Sequence, residues 1–184
     1  TNVNEIPALV RLIPRADFDQ LKGAGELKGW QIAEQRGTPY YMARRIFLSP
    51  LNLPCTKPPW GKLVAVDLGS GNIVWDQPLG TIKDLAPKII PNFKWGVPNL
   101  GGPMLTGSGL LVIGAAAEHK LPIFQTETGK EIWSTKLPVA AVSTPMSYEL
   151  DGQQYIAIVA GGNDQLGMER GDYVLVYGLG APPG

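Results

Sequence analysis

The sequence is poor in the groups that build metal and disulfide sites: among 184 residues there is one cysteine, Cys55, and one histidine, His119. A single thiol closes no internal disulfide, and one thiol with one imidazole does not complete a metal site. Charge of one sign is also lacking, because 16 Lys and Arg cancel 16 Asp and Glu. No run of Lys or Arg forms a stripe, so nothing nominates nucleic acid as a partner or marks a polybasic membrane patch. Long apolar runs are missing too: Gly109 to Ala117 is far short of the roughly 20 residues that span a bilayer as a helix. The opening TNVNEIPALVRLIPR has neither the basic stretch nor the apolar run of a secretory leader. The chain is therefore expected to be cytoplasmic, or else a processed or partial piece, and its cysteine content leaves the redox compartment open.

Helical pattern is equally scarce. The one helix the sequence supports is Arg15 to Leu21, and the rest of the first sixty residues, rich in Gly, Pro and aromatics, reads as an excursion from any regular layer. Gly (23) and Pro (17) make up more than a fifth of the chain without a collagen-like period, which suits short strands and tight turns. Strand-length runs follow at short intervals: Leu63 to Val66, Ile73 to Trp75, Leu110 to Ile113, Ile123 to Phe124, Tyr155 to Ala160 and Tyr173 to Tyr177. Between them, Ser70-Gly71 and Thr128-Gly129 supply turns tolerant of positive φ, and Asp151-Gly152 predicts a type I′ hairpin. The fold class is all-β.

The chain also repeats itself. GKLVAVDLGSGNIVWDQPL (Gly61 to Leu79) and LPIFQTETGKEIWSTKL (Leu121 to Leu137) align at the 58-residue offset from Trp75 to Trp133. The offset pairs Leu63 with Leu121, Gly71 with Gly129 and Leu79 with Leu137. A second echo sets Pro103 and Met104 against Pro145 and Met146. A four-stranded sheet that hides neither face alone and recurs at this spacing is a propeller blade, with an indole at a fixed point of each copy filling the gap to the next. Both Trp75 and Trp133 are thus expected to pack between sheets as scaffold. At this spacing the chain supplies about three blades, whereas closed propellers have about four to eight, so it belongs to a larger ring.

The tryptophan repeat resembles the docking motif of the eight-bladed quinoprotein dehydrogenases, which carry pyrroloquinoline quinone (PQQ). RLIPR (Arg11 to Arg15), GTPY (Gly37 to Tyr40), LSPLNLPC (Leu48 to Cys55), PPWG (Pro58 to Gly61), NLGGPMLTGSGLLVIGA (Asn99 to Ala115), STPMSYELDGQQYIAIVAGG (Ser143 to Gly162) and GDYVLVY (Gly171 to Tyr177) resemble, in this order, the C-terminal part of the membrane-bound glucose, quinate and polyol dehydrogenases. The likeness runs from about Pro7 to Leu179. It divides the chain into 1–60, an excursion with inner strands; 61–115, a blade; and 116–179, a blade and closing strand. It implies oxidation of a small-molecule alcohol by PQQ beside Ca2+ or Mg2+, with electrons passed to ubiquinone. It further implies a periplasmic enzyme held at the membrane by a region absent from this chain, the remaining blades as partners, and no nucleic acid. The family's catalytic and metal-binding residues fall upstream of the matched motifs, so none is assigned here. The other class is a non-catalytic propeller scaffold of the same ancestry, which would have no reason to keep NLGGP, AGG and the GTPY-to-PPWG excursion.

The resemblance nominates Asn2, Asn99, Leu100, Gly101, Gly162 and Asn163 as cofactor-side residues. NLGG carries Leu100 where related alcohol dehydrogenases have tryptophan, and AGGN carries Asn163 where many glucose-type members have histidine. Asn4 rivals Asn2. Each has a structural alternative: a strand-entry turn for Asn99 and Leu100, and turns requiring positive φ for Gly101, Gly162 and Asn163. His119 is expected in a solvated hairpin, Cys55 as a small buried residue, and Trp95 as a support of its loop or a wall of the central funnel. Arg44 and Arg45 are candidates for an acidic substrate such as quinate, but neighbours on a strand face opposite ways, so at most one points inward.

Overall fold

A computed structural model of the chain describes residues 1–164 and 167–178; Leu179, the last residue of the likeness, lies outside them. The chain forms two compact units, one from Thr1–Glu5 and the chain from Lys57 on, the other from Ile6–Thr56.

The first unit holds three antiparallel sheets. Strands β1 (Asn2–Asn4), β5 (Gly61–Val66) and β6 (Ile73–Pro78) form one; β7 (Met104–Leu105), β8 (Leu110–Val112), β9 (Lys120–Gln125) and β10 (Glu131–Lys136) form the second; β11 (Met146–Leu150), β12 (Gln153–Ala160) and β13 (Tyr173–Gly178) form the third. The strands break at 79–103 and 137–145, whereas the motif division falls at 60/61 and 115/116 and separates β8 from its partner β9. Met104 and Met146 each open the first strand of a sheet, as their echo suggests. The β11–β12 turn takes Asp151 at φ 52° and Gly152 at φ 75°, the two left-handed residues of a type I′ hairpin. One core collects Val112, Leu121, Ile123, Leu137, Val139, Ile156 and Ile158 from the second and third sheets and the connection between them. The second and third sheets thus bury a face against each other.

The two tryptophans behave differently. The Trp75 indole N–H donates to Thr126 O at 2.9 Å, and its ring lies so close to Gly129 that a Cβ there would stand 2.9 Å from Cε3. The indole at the edge of the first sheet is therefore seated on the β9–β10 turn of the second. Trp133 meets Tyr177 of the third sheet edge-to-face at 6.1 Å, yet it is 46% exposed. Trp133 thus also stands between two sheets, but less tightly, lining an open apolar groove of about 560 Å³ with Leu121, Ile123, Ile156 and Val176.

The second unit corrects the reading of the excursion as irregular. It carries helix α1 (Arg15–Gly23) and a sheet of β2 (Ala8–Pro14), β4 (Tyr40–Ile46) and β3 (Gln31–Glu34) in that order. Ile13, Leu27 and Ala43 form its core with Phe18, Leu21, Trp30 and Tyr41 packed around them. Arg44 bonds Gln31 Oε1, while Arg45 lies 4.6 Å from the Trp30 ring, which also takes Arg11 at 5.1 Å. Cys55 is free and exposed, contrary to the buried position expected of it. Its neighbours Leu53 and Pro54 take the buried sites of that turn instead.

Candidate functional site

Strand direction gathers one set of loops. In the antiparallel sheets the ends of β6, β8, β10 and β12 all lie on one side, so the loop residues 79–103, 113–119, 137–145, 161–164 and 167–172 share that end of the first unit. All six nominated residues lie in these loops or on β1, which pairs with β5 at that end.

Asparagines tie the first group together. The Asn2 side-chain amide donates to Asn99 Oδ1 at 2.6 Å and to Gly101 O at 2.9 Å. Asn4 donates to Asn99 O at 2.7 Å and accepts from Asn99 N at 2.9 Å. The Asn99 amide turns inward to Val3 O and Val97 O at 3.2 and 3.3 Å. Asn99 is 1% exposed, a polar residue buried because each of its groups finds a partner. Its backbone faces Ala116, and Leu100 N donates to Ala115 O at 2.8 Å. Asn99 therefore clamps the loop and offers nothing outward. The next residue, Leu100, is 41% exposed.

Two glycines have backbone reasons for being glycine. Gly101 has φ 78°, and a Cβ there would lie 2.8 Å from Val142 O; Gly162 has φ 64°, and a Cβ there would collide with Glu169 O. These contacts also join the loops: Gly102 N donates to Thr144 Oγ1 and Gly162 N to Ala140 O, each at 2.9 Å. The segment 140–144 thus holds the Asn99–Gly101 turn on one side and the Gly162–Asn163 turn on the other. Asn163 is half-buried, and its carbonyl accepts from Met168 N.

A second polar cluster at the same end escaped the sequence reading. Glu118 is 6% exposed; its Oε2 accepts from Thr81 N and Oγ1 at 3.0 and 3.1 Å. Burial pushes its carboxyl above the usual carboxylate range, opposed by the two Thr81 bonds. With Asp84, Asn92, His119, Ser134 and three lysines it lines a crevice of about 440 Å³. His119, in the β8–β9 connection, donates its backbone N–H to Asp84 Oδ2 at 2.9 Å and lines this crevice. No local pattern announces the cluster, because its members come from three separate loops and strands. Trp95 supports its loop, stacked on Phe93 at 4.6 Å and edge-on to buried Trp60 at 5.7 Å. Among the described residues no three His, Cys, Asp or Glu side chains gather as a metal site.

The chain is similar to known proteins over nearly its whole length. Residues 1–156 match the family model of the glucose/ethanol/alcohol dehydrogenase β-propeller domain that binds PQQ. Quinoprotein glucose dehydrogenase A of Acinetobacter calcoaceticus is 41% identical over 95% of this chain and 22% of its own length. Quinate/shikimate dehydrogenase (quinone) of Acinetobacter baylyi is 40% identical over 93% of the chain and 22% of its own length. The crystal structure of quinohemoprotein alcohol dehydrogenase from Comamonas testosteroni superposes with a TM-score of 0.54 at 20% identity, covering 96% of this chain and 23% of that one, which shows the shared fold. The chain spans about a fifth of the length of these relatives. Sheets seated on one another by an indole, loops gathered at one end and the matched family model together make this chain a member of the PQQ-dependent glucose/ethanol/alcohol dehydrogenase β-propeller family.

Proposed function

We propose that the complete protein carrying this chain is a PQQ-dependent dehydrogenase that oxidises a CH–OH group of a sugar, polyol or cyclic hydroxy acid. In this reading it works on the periplasmic side of a membrane, passes electrons to ubiquinone, and draws its catalytic base and its Ca2+ or Mg2+ ligands from other blades. The observation that carries the reading is the Asn99–Gly101 turn: a chain of this family holds an exposed aliphatic side chain, Leu100, on a turn locked from beneath by a fully bonded asparagine.

That turn fits a flat cofactor as one wall. Leu100 offers an apolar surface, Asn2 and Asn99 hold it in place, and Gly101 lets the chain turn. When bound, PQQ supplies the hydride acceptor. This chain's residues fix the turn's position and keep it from collapsing, the kind of preorganisation that a reacting geometry requires. The described residues do not fit the metal, since no donor cluster is present, and no step of the chemistry is assigned to them. Asn163 is the residue of this chain proposed to face the substrate; its amide would both donate and accept where a histidine titrates. A scaffold without chemistry would not need Asn99 to spend every polar group on holding an exposed leucine at the loop end.

The test is PQQ reconstitution of the complete apoenzyme carrying Leu100→Asp. A charge placed against an apolar ring face should weaken PQQ binding about tenfold or more, roughly 1.4 kcal/mol or above, with the melting temperature of the cofactor-free protein unchanged. An unaltered Kd for PQQ would remove Leu100 from the cofactor wall.

A further inference from the structure

We infer that residues 83–94 form a lipid-facing loop, through which this chain itself contacts an anionic bilayer surface. The inference goes beyond the dehydrogenase reading and stands on the loop alone. Backbone bonds close its neck: Val97 N to Leu79 O at 2.9 Å, Gly96 N to Gly80 O at 3.1 Å and Ile82 N to Phe93 O at 3.1 Å. Below the neck, Leu79, Ile82 and Val97 are fully buried. The segment beyond it projects as a compact loop of the Ω kind.

Its tip inverts the usual placement of side chains. Ile89 is 89% exposed and Phe93 39% exposed, although Ile82 a few residues earlier is 0% exposed. Pro87 and Pro91 flank the tip, and Ile90 N closes a turn on Pro87 O at 2.9 Å, so little conformational freedom remains to fold Ile89 back under the loop. The charges on the tip itself have one sign. Lys83, Lys88 and Lys94 are interleaved with Leu85, Ile89 and Phe93, and from Leu85 to Trp95 there is no acidic residue. The acids at its base, Asp84 within the segment and Glu118 across the crevice that Lys83 also lines, are engaged by the His119 backbone N–H and by Thr81. The lysines are too widely spaced to read as a basic run, which is why the sequence alone nominates no membrane patch.

An exposed isoleucine and a half-exposed aromatic ringed by lysines match the chemistry of a bilayer interface. The apolar groups enter the acyl boundary, the aromatic ring sits at headgroup level, and the lysines stay among anionic headgroups. From Leu85 to Trp95 lysine is the only charged residue type, which suits anionic headgroups.

The experiment labels the complete enzyme with an environment-sensitive fluorophore at Ile89→Cys, in a background whose native cysteines, exposed Cys55 included, are replaced. The control probe is Leu68→Cys, 95% exposed on the β5–β6 turn at the opposite end of β6. With phosphatidylglycerol vesicles, the Ile89 probe should shift to shorter wavelength and be quenched by nitroxide-labelled lipid, and the Leu68 probe should do neither. Changing Lys83, Lys88 and Lys94 together to Gln should raise the lipid concentration for half-maximal shift by about a hundredfold, converting about 1 kcal/mol per lysine. Phosphatidylcholine vesicles should act far more weakly. The inference is overturned by no shift with either lipid, by equal shifts at both probes, by indifference to anionic lipid, or by an Ile89 probe already blue-shifted before lipid is added, which would mean that protein covers the loop. None of these readouts uses PQQ or turnover, so they remain interpretable if the dehydrogenase reading fails.

Discussion

Asn99 shows how much one side chain can hold. Its backbone and amide bond Val3, Asn4 and Val97 and accept from Asn2, all within a site 1% exposed. Asn99→Ala strands several of these partners without water, so it should destabilise the folded chain by about 2–4 kcal/mol, read as a lowered denaturation midpoint at unchanged m-value. Glu118 makes a prediction of different form. Its folded pKa is raised above the ordinary value of 4.5 by burial, so the native state holds its proton more tightly than the unfolded chain does. Its contribution to stability is therefore fully present below the unfolded pKa and is lost as pH rises through the folded pKa. Melting temperatures recorded upward from pH 4 should fall less steeply for Glu118→Gln than for the native sequence; parallel curves would show that the carboxyl titrates normally. Asn99 was legible in NLGG as a residue of interest, but its direction was not, because its partners Asn2 to Asn4 lie about a hundred positions away.

At the scale of the element, the two repeat tryptophans occupy the same place in sequence and different places in energy. Trp75 sits on Gly129 with its N–H bonded to Thr126, whereas Trp133 meets Tyr177 edge-on beside an open groove and stays half open. In the isolated chain Trp75→Ala should cost about 3–4 kcal/mol, as for other large aromatic truncations in packed sites, and Trp133→Ala no more than about half of that. Urea unfolding of both variants checks the ratio; equal losses would mean that the groove beside Trp133 closes in solution. The strands and turns that bracket these residues were readable because period-2 runs and Gly-containing turns are local signals. The sheet of the second unit was not, since β2, β3 and β4 hide among prolines, glycines and the helix they enclose.

For the whole molecule, the chain provides three sheets of a propeller that needs more, and the described residues offer neither a metal-binding cluster nor an assigned catalytic base. The isolated 184-residue chain, supplied with PQQ and calcium, should oxidise neither glucose, quinate nor polyols with an artificial acceptor. Turnover by the purified fragment would place the chemistry here and overturn the division of labour between blades.

Sequence alone determined the all-β class, the repeat with its blade spacing, the type I′ hairpin and the family likeness, because each is written in residues close along the chain or in motifs kept in order. Only the tertiary structure decided that Asn99 faces inward while Leu100 faces out, that Glu118 is buried against Thr81, that Cys55 is exposed, and that Ile89 stands at the tip of a closed loop. Burial and hydrogen-bond direction depend on which distant segments meet, and that information has no local period to read.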